Sequence, residues 1–407
     1  MENRDRNKAR NMGVAKHASV QLPKLVENRG KQWVTFGENN LYPNFIAGLY
    51  QKDAIHAACV DAKVNATVGS GFTIDGKNKI PEFKTLPNGE LISTRPNDYD
   101  SWEEVFAKVA HDYVVHGMYA LQIVWNTTGD RISKVAHIDI TTLRSGLEEE
   151  DNRVCKWWYA PNWERATGRR WIQPEAYPTF SPVKALEAVK QKEDSQTHQV
   201  LVYFDYASGL QYYSTPSYKS ILEIQTDIQL STYWLSNISN GVMPSMQINF
   251  CEGKPTTKEE EIDVLESIQE MYAGSEEAGK TIVTWSQSKE TAPTVTLLQA
   301  TNTDNFTTLK DKLVSVILSS HNITSPLLLG IQAGANGFSS NSEEIKTAWN
   351  QFLFTTVVPI QEKLLKTFNK VWKLKGNEGE LSILQRVIFN EEEIKAPETA
   401  TQTDNNK

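Results

Sequence analysis

The sequence predicts an α+β fold built on long helices, and three patterns carry that expectation. Apolar residues recur every three or four positions near Ala54, Val105, Ile221, Phe306 and Ile345, the spacing of one helical face. Between the second and third of these stripes stand two β-rich runs, Tyr119 to Trp125 and Arg131 to Ile140. Asn126-Thr-Thr-Gly129-Asp separates them and reads as a hairpin turn. The third pattern is a small strand, helix, strand, strand module over residues 242–302, set between two long helices.

With 407 residues and 39% hydrophobic content, the chain can bury a sizeable core and has length for about two to three domains. No segment approaches the ~18 uninterrupted apolar residues of a membrane span. The polar start, Met1 to Arg10, is followed by no apolar signal region, so a chain made and kept in a cytoplasm is expected, unless it leaves inside a larger particle. Cys59, Cys155 and Cys251 lie far apart with no CxxC pair, which predicts reduced thiols and offers no metal-ligand pattern; nothing asks for a cofactor. The formal charge of −8, from 42 basic against 50 acidic residues, is the wrong sign for gripping phosphate backbones over the whole surface. Any contact with DNA should be loose or local.

In chain order, residues 1 to about 30 are polar and basic without periodicity, an arm expected to be disordered unless a partner orders it. After the aromatic-rich Trp33 to Tyr50, which should end in a short helix, Asp53 caps a small-residue helix, Ala54 to Val68, closed by Gly69-Ser70-Gly71. Loop and turn residues dominate up to Ser101, where Ser101 and Glu104 form a capping box ahead of Val105, Phe106, Val109 and Val114. His111 and His116, five apart, do not make a zinc pair and read as polar histidines on a helix face. Strands are expected at Arg153 to Ala160 and Val200 to Tyr206. Trp157, Trp158, Trp163 and Trp171 lack an interleaved basic stripe, so they read as core or subunit interface rather than a platform for bases.

From Thr215-Pro216 a helix should run to Gly241, with Pro216 near its first turn and Ile221, Leu222, Ile224, Ile228, Leu235 and Ile238 on its apolar face. The module then reads as a strand at Met246 to Phe250, a helix capped by Thr257 and Glu260, and strands at Thr281 to Trp285 and Thr294 to Leu298. A second long helix, Thr303 to His321, stops at Asn322-Ile-Thr-Ser-Pro326, because Pro326 offers no N–H and pushes Ser325 out of the α region. Gly330 to Ser340 carries three glycines and little side-chain bulk, which predicts a mobile loop. Asn341 with Glu344 is another capping-box signature, and Ile345, Ala348, Phe352, Ile360, Leu364, Phe368 and Val371 continue a stripe to about Leu374. At 1.5 Å per residue that helix is on the order of 50 Å long. Pro359 in its middle predicts a kink. Beyond Lys375 there is a strand-like Leu381 to Phe389 and an acidic, polar tail.

Gly274-Ser275-Glu276-Glu277-Ala278-Gly279-Lys280-Thr281 matches the phosphate-loop pattern letter for letter and would suggest a P-loop nucleotidase. That motif needs a strand before the loop and a helix after it, so that free N–H groups face the phosphates. Here the predicted order is helix first and strand second, and Glu276 and Glu277 would repel phosphate oxygens. No apolar strand ending in aspartate is positioned for magnesium, and no H-E-x-x-H or G-x-S-x-G occurs, so no catalytic residue is expected.

The order of these parts resembles the portal proteins of tailed double-stranded DNA bacteriophages over Leu41 to Lys375. The residues that carry the resemblance are the helix ending Val68-Gly-Ser-Gly-Phe72, the hairpin, Met243-Pro244, and Ala278-Gly-Lys-Thr-Ile282 after the helix from Glu259. Ile323-Thr-Ser-Pro-Leu-Leu-Leu-Gly330, Phe338-Ser-Ser-Asn341 and Val358-Pro359 complete it. The resemblance implies a ring, generally dodecameric, at one capsid vertex, through which the genome is packaged and ejected. Its parts would be an N-terminal arm (1–30), a wing (31–215), stem helices (216–241 and 303–330) enclosing a clip (242–302), a tunnel loop (331–341), a kinked wing helix (342–375) and a reduced crown (376–407). The implied channel residues are Gln332, Ala333, Gly334, Ala335, Asn336, Gly337, Phe338, Ser339 and Ser340. The clip, here Glu252, Lys254, Glu276, Glu277 and Lys280, would dock the large terminase subunit and then the head-completion (adaptor) protein, and the ring would meet the major capsid or scaffold protein. The expected location is the portal vertex of the virion, assembled in the bacterial host cytoplasm. Another head-to-tail adaptor ring is the nearest alternative.

Overall fold

The computed structural model describes residues 23–27, 32–76, 78–85, 89, 91–148, 153–166, 172–191, 197–239, 246–250, 255, 257–260, 262–264, 281–286, 288, 303–330 and 342–386. Strand β1 (Leu25–Glu27) pairs antiparallel with β2 (Val34–Phe36). Helices α1 (Tyr42–Lys52) and α2 (Ala54–Val68) follow, and the Asp53 carboxylate accepts the His56 N–H at 2.7 Å to start the second. The stretch expected to be loop and turn instead holds β3 (Phe72–Ile74), β4 (Asn78–Lys79), β5 (Phe83–Thr85) and β6 (Leu91–Ser93). Strands of two or three residues are too short for alternation to show in sequence.

Helix α3 (Trp102–His116) opens on the expected reciprocal cap: the Glu104 N–H donates to Ser101 Oγ at 3.2 Å and the Ser101 N–H to Glu104 Oε2 at 2.6 Å. It closes on Gly117 at φ 72°, where a Cβ would stand 2.5 Å from the Thr215 carbonyl oxygen, so both conformation and space require glycine. From there β7 (Met118–Trp125) turns back as β8 (Ile132–Ile138), the predicted hairpin. Strand β9 (Leu143–Ser145) pairs with β10 (Lys156–Tyr159), helix α4 (Trp163–Ala166) follows, and β11 (Glu175–Pro178) pairs with the other edge of β10. Helix α5 (Pro182–Gln191), which the sequence reading missed, leads to β12 (His198–Phe204), the second neighbour of β7.

Among the described residues there follow α6 (Ile221–Ser239), β13 (Met246–Phe250), β14 (Thr281–Trp285), α7 (Thr303–Ser320), α8 (Ser342–Phe352), a π-helical turn (Leu353–Val357), α9 (Val358–Leu374) and β15 (Leu381–Ile383). Helix α6 starts later than Thr215-Pro216. The segment before it is committed to packing: Tyr218 is fully buried with its hydroxyl on the Val115 carbonyl at 3.0 Å, and Lys219 Nζ reaches Pro216 O at 2.8 Å. Strand β15 covers only the first part of the expected Leu381 to Phe389 run and pairs with β3.

Strand β7 lies between β8 and β12, so both its edges are paired, and a separate core cluster buries each of its faces. On one side Tyr119, Leu121, Ile123 and Trp125 pack with Trp102, Val105, Phe106 and Val109 of α3 and with Leu364, Phe368, Val371 and Trp372 of α9. On the other, Met118 and Ala120 join Val34, Phe36, Ile140, Leu143, Trp157 and Tyr213. Trp157 and Trp163 are core residues, and His116, read as a polar histidine on a helix face, is 6% exposed. The helix face on which it sits is turned inward, and burial lowers its pKa.

Contacts between Cα atoms divide the chain into two compact units, one of Glu223–Ile317 and one of the residues on either side of it. Within the smaller unit β13 and β14 pair in parallel, in register from Met246 with Thr281 to Phe250 with Trp285. The Glu260 N–H donates to Thr257 Oγ1 at 3.4 Å, the expected cap, and Lys310 Nζ meets Asp227 at 2.6 and 2.5 Å.

Candidate functional site

The residues from Gln332 to Ser340 lie outside the described residues, but both of their supports are defined. At the first, α7 ends at Ser320 and the chain reverses through Asn322, at φ 56°, with the Ile323 N–H donating back to Leu318 O at 3.0 Å. Ile323 is buried, and Ser325 Oγ accepts the Leu327 N–H at 3.3 Å to start a single 3-10 turn, Pro326–Leu329. Gly330, at φ 72°, closes that turn. The helix thus ends where predicted, but the chain turns at Asn322, four residues before Pro326, and Pro326 instead opens one turn of tighter helix.

The second support is the helical run from Ser342. Phe352, Leu364, Phe368 and Val371 of the predicted stripe are almost completely buried. Pro359 occupies the second position of α9, directly after the π turn. A proline inside a helix removes one N–H and pushes its ring at the preceding turn; a locally widened turn relieves that clash. Side chains then fix α9 to the core unit. Gln361 Nε2 donates to Thr67 O at 2.9 Å, satisfying a last-turn carbonyl of α2, and Lys363 Nζ meets both Asp205 oxygens at 2.9 and 2.8 Å and Tyr113 Oη at 3.0 Å. Although burial of the Asp205 carboxyl opposes ionisation, hydrogen bonds from Lys363 and Tyr113 outweigh it and lower its pKa.

Glu252, Lys254, Glu276, Glu277 and Lys280 also fall outside the described residues. Thr281 does not, and it opens β14. A phosphate loop needs a helix at that point, whose free N–H groups would hold the phosphates. Thr281, the described residue of the match, opens a strand and not the helix that the motif requires. Among the described residues no cluster of three or more histidines, cysteines or carboxylates could hold a metal ion. No helix among them is long and apolar enough to cross a membrane.

A family model described as phage portal protein matches residues 62–405. The chain belongs to the phage portal protein family. Its function is that of a portal protein, and the family is a structural one. Among solved structures, a chain of the virion of the native gene transfer agent particle matches this portal protein with a TM-score of 0.50 at 14% identity, covering 84% of each chain, and shares its fold. A chain from the neck of the native particle, computed with C12 symmetry, gives a TM-score of 0.48 at 12% identity over 83% of this chain and 82% of that one. The crystal structure of an HK97 family phage portal protein from Corynebacterium diphtheriae gives 0.44 at 9% identity, over 79% and 89%. No curated protein matches.

Sequence reasoning missed the buried polar groups of the core unit. Arg144 is fully buried, with Nε on Asn40 Oδ1 at 2.8 Å, Nη2 on Asn40 O at 2.6 Å and Nη1 on Leu143 O at 2.6 Å and Thr141 O at 3.0 Å. Its guanidinium lies 5.0 Å from the Trp163 ring centroid. The one available signal was an arginine inside a short β-rich run.

Proposed function

We propose that this portal protein closes into a ring, of the dodecameric kind, at one capsid vertex, and that double-stranded DNA passes along the ring axis during packaging and ejection. Exposed apolar side chains on the long helices carry the ring. Tyr233, Trp234 and Leu235 of α6 are 47%, 39% and 65% exposed, and Leu309 and Val316 of α7 are 39% and 45% exposed. Such surfaces call for a neighbour, and a head-to-tail contact repeated by a rotation that closes gives a ring.

On this reading residues 31–215 and 342–375 form the wing, 216–241 and 303–330 the stem, 242–302 the clip and 376–407 a reduced crown. The loop from Gln332 to Ser340 lines the channel, where Asn336, Ser339 and Ser340 offer neutral polar contacts to DNA and Phe338 is its large side chain. Pro359 marks the kink of the wing helix. Glu252, Lys254, Glu276, Glu277 and Lys280 of the clip dock the terminase and later the head-completion protein, while the wing meets capsid or scaffold protein. No residue is assigned a catalytic role. Assembly takes place in the host cytoplasm, and the mature ring stays in the virion. Net acidity suits a conduit, because tight phosphate contacts would stall a sliding duplex.

Mass photometry and negative-stain imaging of the purified protein should show a closed ring with a central hole. A monomer or twofold dimer at every concentration would overturn the ring. Deleting Gly334 to Gly337 should leave ring assembly and thermal stability nearly unchanged while lowering the DNA content of particles built with the shortened protein. Normal DNA content would refute the channel role, and loss of assembly would instead make the loop a structural connector.

A further inference from the structure

His56, in the first turn of α2, and His321, immediately after α7, lie 265 residues apart in sequence, yet His56 Nδ1 stands 3.0 Å from His321 Nε2. Both rings are 0% exposed. One neutral ring donates to the other, and the two outer nitrogens, His56 Nε2 and His321 Nδ1, are buried with no hydrogen-bond partner among the described residues. The Tyr218 ring lies 4.7 Å from each imidazole and stacks on His321 at 21°, with its hydroxyl held by the Val115 carbonyl. Beside the stack, Ser220 Oγ and Ser320 Oγ are 2.5 Å apart, joining the residue before α6 to the last residue of α7. Among the described residues, the other ionisable groups named around the pair come from α2 and its cap. Lys63 is 2% exposed and places a positive charge near both rings, Cys59 is a buried thiol, and Asp53 holds the His56 N–H.

We propose that His56 and His321 form a proton-operated clamp, which holds the end of α7 and the segment leading into α6 against α2 while both rings are neutral and releases them on protonation. The first added proton creates a buried cation beside Lys63; the second sets two N–H groups against each other. Burial, followed by the charge of Lys63, depresses both histidines, His56 to about 4 and His321 further. An exposed imidazole takes up its proton near pH ~6.5. The open form therefore binds more protons than the closed one, and the clamp is at full strength above about pH 6.5 and weakens as the pH falls toward ~4.

Hydrogen–deuterium exchange on the full-length protein at pH 7 and pH 5, corrected for intrinsic rates, tests the clamp. Peptides covering residues 314–323 and 216–224 should loosen more than about tenfold beyond those of β7. The double variant His56→Gln, His321→Gln should lose that difference. Should the variant not fold, exchange at the imidazole C2 positions of the wild type reports each midpoint, and both are expected well below ~6.5. The clamp is overturned if the wild-type helix ends show no excess loosening in acid, if the loosening persists unchanged in the double variant, or if either histidine titrates as an exposed one does.

Discussion

Phe368→Ala should destabilise this portal protein by about 3–5 kcal/mol, whereas Phe354→Ala on the same helical run should change stability by no more than ~0.5 kcal/mol. Phe368 is 0% exposed and stands at the centre of an aromatic cluster. Its ring centroid lies 5.0 Å from Phe106, 6.1 Å from Phe72 and 6.1 Å from Trp102. These rings come from two separate parts of the chain, β3 and α3, and cannot all move into the space that an alanine leaves, so the lost transfer free energy is joined by a cavity term. Phe354 is 77% exposed in the π turn and leaves no cavity. Urea unfolding of both variants at one protein concentration checks the pair, since assembly would otherwise shift the apparent stability. A loss below about 1.5 kcal/mol for Phe368→Ala would mean that the core closes over the gap.

Arg144→Met should cost about 3 kcal/mol, and Arg144→Lys should recover only part of it. The methionine preserves length and packing against Trp163 but leaves Asn40 Oδ1, Asn40 O and Leu143 O, all buried acceptors, without the guanidinium. Asn40 Oδ1 also accepts the Phe36 N–H at 2.9 Å, so loosening it reaches β2. An ammonium is a compact donor that cannot span acceptors set for a planar fork. Among the described residues no carboxylate hydrogen-bonds Arg144, so the loss comes from the acceptors that lose a donor. Full recovery of stability in Arg144→Lys would show that charge alone, rather than fork geometry, holds this corner.

Local chemistry made much of the fold legible. The Asp53 cap and the Ser101–Glu104 box depend on residues three apart, and the hairpin from β7 to β8 on a short turn. Periodicity identified the buried stripe of α9 because one helix face meets one core. Where an element depends on distant partners, the reading failed. Helix α6 begins at Ile221 because Tyr218 is drawn into the core against Val115, and β3 is a strand because β15 pairs with it. Helix α5, apolar on a narrow face, left too short a stripe to read.

The sequence by itself determined the α+β class, the succession of helix and hairpin, the buried stripe of α9 and the resemblance to phage portal proteins, because each rests on neighbours in the chain. Only the tertiary structure decided which polar groups are buried. His56 meets His321 across 265 residues, and Arg144 meets Asn40 across 104. A buried histidine and an exposed one are the same letter, and what separates them is the desolvation that distant segments impose when they close around the ring.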